Sequence, residues 1–125
     1  MKFTSTILPM CLATVATARY LTVKTYSDLK CSSPAESITL HNLEDCHQMN
    51  TPFRSFSTQS VDQSFIDEGV RILTWSTNDC QHSSVTQQQT FGLSNDDNCN
   101  IPFADINEGQ QNPFKVGSFQ VGDYS

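Results

Sequence analysis

The sequence predicts an all-β domain built of two similar halves and cross-linked by disulfides. Three observations predict it: apolar residues alternate with a period of two in short runs, the runs recur at a fixed offset, and the cysteines are even in number once an N-terminal leader is set aside. The 125 residues suit one domain, and thirteen acidic side chains stand against seven basic ones.

The leader comes first in the chain. Lys2 gives a positive start, Ile7 to Ala16 is apolar apart from Pro9 and Thr14, and Ala16-Thr17-Ala18 supplies the small-x-small pattern of a cleavage site. The apolar run is too short to cross ~30 Å of hydrocarbon, which sets a signal peptide above a membrane anchor. Residues 1–18 are therefore expected to be removed, leaving 19–125 as a single secreted domain of 107 residues. A domain of that size buries only about two-thirds of its unfolded surface, so covalent cross-links help it.

Cys11 departs with the leader and Cys31, Cys46, Cys80 and Cys99 remain. An even number in an oxidising compartment points to two disulfides. Zinc is the rival reading, but no two of these cysteines have the short spacing of a structural zinc site. Without Lys2, six basic residues face thirteen acidic ones, a net charge of −7. That balance argues against nucleic-acid phosphates as a partner and against bulk attraction to anionic lipid.

The repeat carries the architecture. A shift of 49 residues lays Leu21-Thr22-Val23-Lys24-Thr25-Tyr26-Ser27 over Val70-Arg71-Ile72-Leu73-Thr74-Trp75-Ser76, each followed at the same distance by a cysteine, Cys31 or Cys80. Leu21, Val23 and Thr25 match Val70, Ile72 and Thr74 as the inner face of a half-buried strand. The β-branched and aromatic residues of both runs favour strands. Ser37-Ile38-Thr39-Leu40 then matches Val85 to Phe91, Cys46 matches Cys99, Met49 matches Ile101, and Arg54-Ser55-Phe56 matches Gly117-Ser118-Phe119.

The first unit is placed at about 19–58, a linker at about 59–68 and the second unit at about 69–122. Four cysteines permit three pairings. Equivalence of the units favours pairing inside each, Cys31–Cys46 and Cys80–Cys99. The second unit is longer between Cys99 and Ser118, where Pro102, Gly109 and Pro113 mark an irregular loop.

A four-strand unit with an early aromatic hairpin and a late serine resembles a βγ-crystallin Greek key. Tyr26 and Trp75 occupy that family's first aromatic position, and Cys31 and Cys80 stand where its second aromatic would be. Ser55 and Ser118 match the motif serine, which in the family ties the folded first hairpin to the last strand. The resemblance implies two Greek keys packed as a β-sandwich of about eight strands, with a core carrying Leu21, Val23, Val70, Ile72, Phe56 and Phe119. Ser33 and His82 replace the family's hairpin glycine. Asn50 to Ser55 and Pro113 to Ser118 keep too few oxygen ligands for the family's calcium sites. Disulfides in place of aromatics resemble the secreted microbial branch, which includes yeast killer toxins, antifungal proteins and a metalloproteinase inhibitor.

No enzyme chemistry stands out. The chain has no Gly-x-Ser-x-Gly elbow and no phosphate-cradling glycine loop. His41 and His47 flank a turn near Glu44 and Asp45, a weak metal pattern, and His82 lies in a hairpin. Asp96-Asp97 sits in an Asn/Asp-rich turn, where such residues bond their own backbone more often than a cation. The sequence thus points to a non-enzymatic, monomeric effector or killer-toxin-like protein with no cofactor. Its expected partner is an extracellular protein or cell-surface component, met through the loop from Asn100 to Pro113. A protease inhibitor and a cell-wall or spore-coat protein are the alternatives.

Overall fold

The computed structural model describes residues 19–83, 85–104 and 114–123. The alternating runs form strands, with Leu21, Val23 and Thr25 buried on the inner face of β1 (Leu21–Tyr26) and Ile72 and Thr74 on that of β5 (Arg71–Trp75). The others are β2 (Pro34–Leu40), β3 (His47–Phe53), β4 (Ser55–Gln59), β6 (Gln88–Gly92) and β7 (Val116–Gly122). They make two antiparallel sheets, ordered β2-β1-β4 and β3-β7-β5-β6.

In each unit the last strand returns beside the first, β4 against β1 and β7 against β5. The third strand of the first unit does not stay with its own unit: β3 pairs with β7 in the other sheet, His47 opposite Phe119. Its counterpart is a single bridge, Asn100 opposite Phe56 in the first sheet. Asn100 exchanges both backbone bonds with Phe56, at 2.8 and 3.0 Å. The order is consistent with two Greek keys that exchange their third strands, the second being reduced to that bridge.

This exchange corrects the expected disulfides. The bonds are Cys31–Cys99 and Cys46–Cys80, with Cα atoms 5.7 and 5.9 Å apart, not Cys31–Cys46 and Cys80–Cys99. Cys46 and Cys99 each precede a residue paired in the other unit's sheet, so each meets the other unit's hairpin cysteine. The equivalence of the units survives, because exchanging them maps one bond onto the other.

The six residues expected in the core are all buried, Val70 being the most exposed at 4%. Phe53 lies between Phe56 and Phe119, its ring centroid 6.0 and 6.3 Å from theirs in edge-on geometry. Burying side chains of this size is worth ~1.5–3 kcal/mol each.

The stretch expected to be only a linker adds to the core through a short helix, α1 (Gln63–Asp67). The Asp62 carboxylate accepts the Ser64 N–H at 2.9 Å and caps its start. Gly69, at φ +75°, ends it, with bonds from Gly69 N–H to the Ile66 carbonyl and from Val70 N–H to that of Phe65. Phe65 and Val61 are thereby buried under the sandwich edge.

The topology sorts the loops into two ends. β1 finishes at Tyr26 opposite Ser55, β5 at Trp75 opposite Ser118, and β3 at Phe53 opposite Val116 before Arg54 turns into β4. Segments 27–33, 76–83 and 85–87, Arg54 and the Phe114-Lys115 entry to β7 therefore gather at one end, here termed the hairpin end. Segments 41–46, 60–70, 93–98 and Asp123 lie toward the far end.

Candidate functional site

The hairpin end is the most constructed surface among the described residues. Each folded hairpin is latched by a buried serine. The Ser55 hydroxyl accepts the Cys31 N–H at 3.2 Å and donates to the Asp28 carbonyl at 2.6 Å. The Ser118 hydroxyl accepts the Cys80 N–H at 3.0 Å and donates to the Thr77 carbonyl at 2.6 Å. Both serines are fully buried. The aromatics lie beneath the hairpins, Tyr26 at 9% and Trp75 at 5% exposure, with the Tyr26 hydroxyl 3.4 Å from that of Ser57.

The left-handed backbone of these hairpins falls on cysteine. Cys31 has φ 53° and Cys80 φ 52°, whereas neither Ser33 nor His82 has a positive φ. For a residue with a Cβ that conformation costs roughly 1–2 kcal/mol. The serine latch on each cysteine's N–H and the disulfide on its sulfur hold it there.

Each loop is then pinned at its tip. The Asp28 carboxylate accepts the Ser32 and Ser33 N–H groups at 3.1 and 3.2 Å and bonds the Ser32 hydroxyl as well. The Ser32 hydroxyl, then the Ser33 and Ser32 amides, hold the Asp28 carboxyl below its ordinary range. In the second unit the Ser76 and Gln87 backbones join at 2.9 Å, and the Thr86 N–H closes a turn on the Ser83 carbonyl at 3.2 Å. Leu29 and Val85 project from these tips, 38% and 73% exposed. Phe114 adds a third exposed apolar side chain at 37%, its ring packed edge-on against Phe103 with centroids 6.5 Å apart.

Among the described residues, three of the four exposed large hydrophobics thus sit at one end, Tyr20 being the exception. Two are each followed directly by an exposed lysine, Leu29-Lys30 and Phe114-Lys115, while Arg54, which joins β3 to β4 at the same end, is half-buried with its Nε enclosed. Sequence reasoning missed these prongs. Leu29 and Phe114 are isolated apolar residues among polar neighbours, which carry no periodicity, and Val85, expected in the second strand, instead lies in an exposed turn before β6.

The other expected residues separate into smaller roles. A cleft of about 260 Å³ beside Tyr26, between Lys24 and Pro34 to Ser37, falls below the usual size of a small-molecule site. His41, Asp45 and His47 line a shallow cleft of about 190 Å³ toward the far end. Among the described residues no three His, Cys, Asp or Glu side chains are placed to hold a metal ion. The His47 ring instead stacks on Phe119, centroids 5.1 Å apart. Burial pulls His47 below its ordinary value, with Asp45 acting in the opposite sense. His82 is exposed.

The Asp96-Asp97 turn is stitched to β4 and its exit. Asn95 bonds both backbone groups of Val61, at 2.7 and 3.0 Å, and the Thr58 hydroxyl donates to the Ser94 carbonyl at 2.7 Å. The Gln59 amide donates to the Asp97 carboxylate at 2.7 Å and, with Ser57, keeps that carboxyl below its ordinary range. Of the expected recognition loop, Asn100 to Ala104 is described and begins on the Phe56 bridge. Residues 105–113 lie outside the described residues, as do residues 1–18.

No family model, curated protein or solved structure matches the chain. Two disulfides, and no described helix long and apolar enough to cross a membrane, are compatible with an extracellular protein.

Proposed function

We propose that the chain is a secreted, non-enzymatic protein of the crystallin-like, killer-toxin-like kind, acting by binding a target on other cells. The observation that carries this reading is the hairpin end: two serine-latched loops, each anchored through a cysteine to the opposite unit, presenting exposed apolar side chains. Rigid scaffolds with constrained loops at one end are how small β-sandwiches carry recognition. Preorganised loops also lose less entropy on binding.

The crystallin-like assignment rests on the strand order and on the serine latch, which appears in both units at matching positions. The signal-peptide pattern at 1–18 and the four remaining cysteines support secretion.

Growth inhibition tests the reading. Oxidised protein beginning at Arg19, added to a panel of yeasts and filamentous fungi, should bind cells and slow growth in a dose-dependent way, and the reduced protein should not. Absence of both binding and inhibition across the panel would remove the proposal.

A further inference from the structure

The outer face of the first sheet is a surface apart from the hairpin end. Along β1 the buried Leu21, Val23 and Thr25 alternate with Thr22 and Lys24, which point away from the core. Contacts place their neighbours on the same side. Tyr20, just before β1, lies against His41, just after β2, with ring centroids 6.0 Å apart. The Thr22 and Thr39 hydroxyls are 3.4 Å apart, and Lys24 stands opposite Ser37 on one strand and Ser57 on the other. Among the described residues Tyr20, at 45%, is the one exposed large hydrophobic residue away from the hairpin end.

One side of this face is closed by a fixed acceptor. The Asp97 carboxylate reaches over β4, where the Gln59 amide donates to it at 2.7 Å, Ser57 bonds it and Lys24 lies near it. Its turn is tied to β4 by the bonds of Asn95 and Thr58 described above. A cleft lies at each end of β2, about 260 Å³ beside Lys24, Tyr26 and Ser37 and about 190 Å³ beside Thr39 and His41. Ser37 and Thr39, both exposed, run between them. Tyr20 and Lys24 are separated by ~13 Å along the strand.

We infer that this face binds a neutral linear polysaccharide, laid along β1 and β2 from Tyr20 toward Tyr26. The inference rests on the reading of the chain as a protein acting on other cells, and it names what is held at their surface. A sugar chain presents hydroxyl groups that both donate and accept, with apolar ring faces between them. The Thr22, Ser37 and Thr39 hydroxyls do both, the Lys24 ammonium donates and the Asp97 carboxylate accepts. The Tyr20 ring supplies an apolar platform for one sugar face. A row open at both ends, with shallow clefts in place of one enclosed pocket, suits a chain and not a small molecule.

The chemistry disfavours other occupants. Among the described residues the face exposes no large aliphatic side chain, Leu29 and Val85 being at the hairpin end, so a lipid or an apolar protein surface finds little to bury. Lys24 and Asp97 carry opposite charges, and Glu36 and Asp45 border the two clefts, so an anionic polymer is repelled. The polar groups stand on a hydrogen-bonded sheet, which lowers the ordering cost of binding.

The test uses the oxidised protein and sedimentation with insoluble cell-wall glucan, chitin and cellulose, soluble mannan as competitor and chitosan as a cationic control. Binding to at least one neutral polysaccharide is expected, nearly unchanged as salt is raised. Tyr20→Ala should weaken it about tenfold, as loss of an aromatic anchor does. Asp97→Asn should weaken it about fivefold by removing a charged acceptor, and asparagine tolerates the left-handed backbone at this position, φ 56°. Both variants should keep the native far-ultraviolet circular dichroism. Val85→Ser, at the hairpin end, should bind polysaccharide as the native protein does.

Failure of the native protein to bind any neutral polysaccharide overturns the inference, and so does equal binding by the Tyr20 and Asp97 variants. Binding confined to chitosan and abolished by salt is attraction to net negative charge, and it overturns the inference as well. If polysaccharide binding fails while cells are bound and slowed, only the glycan assignment falls. If polysaccharide is bound while cells are neither bound nor slowed, the assignment of this face stands and the function proposed above falls.

Discussion

Ser55 and Cys31 are joined by one hydrogen bond, 3.2 Å from the cysteine N–H to the serine hydroxyl, and that bond fixes a left-handed cysteine over the start of β4. The same hydroxyl satisfies the Asp28 carbonyl. Removing it leaves a donor and an acceptor without their partner in a part-buried place. Ser55→Ala is expected to destabilise the protein by about 1–3 kcal/mol. Ser118→Ala should behave alike, since the second unit repeats the geometry with Cys80 and Thr77. Urea midpoints at constant slope measure both; an unchanged midpoint in either variant would show that its latch contributes nothing.

The disulfides should be recovered as Cys31–Cys99 and Cys46–Cys80 by peptide mapping of the unreduced protein. They close 68- and 34-residue separations. In the chain-entropy model each is worth ~4 kcal/mol. Replacing Cys46 and Cys80 together by serine should therefore cost several kcal/mol and threaten folding at body temperature. Peptides linked Cys31–Cys46 would contradict the strand exchange itself.

Phe53 is fully buried and touches the phenyl rings of both sheets. Phe53→Ala should cost about 3–5 kcal/mol, while Phe53→Leu should cost much less because most of the volume is kept. Thermal unfolding separates the two. Near-equal melting temperatures would mean that the two sheets do not pack through this ring.

His47 gives stability a pH dependence with a definite sign. Burial holds its folded value below 6.5, so on acidification the unfolded chain takes up the proton first. The contribution is complete above about pH 6.5 and is lost progressively as pH falls below that toward the folded value. Denaturant midpoints should drop as pH falls below about 6.5, and His47→Gln should flatten that part of the curve. A wild-type profile already flat there would rule out a half-buried imidazole held neutral by desolvation.

The strands and the core were legible because both rest on local periodicity. Leu21, Val23, Val70 and Ile72 alternate with polar neighbours, and Phe56 and Phe119 follow matching serines, so their burial is written in the nearest few residues. The disulfide partners were not legible, because duplication offers Cys46 two equivalent candidates, Cys31 and Cys80. Which one it meets depends on the sheet that β3 joins, a long-range pairing that no spacing encodes. α1 was overlooked although Asp62, Phe65 and Ile66 carry a cap and an apolar face; a single helical turn gives too short a pattern to outweigh its polar neighbours. The apolar prongs of the hairpin end leave no pattern at all, and only the topology brings Leu29, Val85 and Phe114 together.

The crossed cystines also constrain how such a chain could have arisen. A polypeptide holding one unit alone would have an unpaired third strand and two cysteines whose partners belong to another unit. Two copies would complete one another, each lending its strand to its neighbour and sharing two bridges across the twofold axis. A single unit of this architecture would stand only as a covalently linked homodimer, and joining two units into one chain changes the connectivity while leaving the contacts in place.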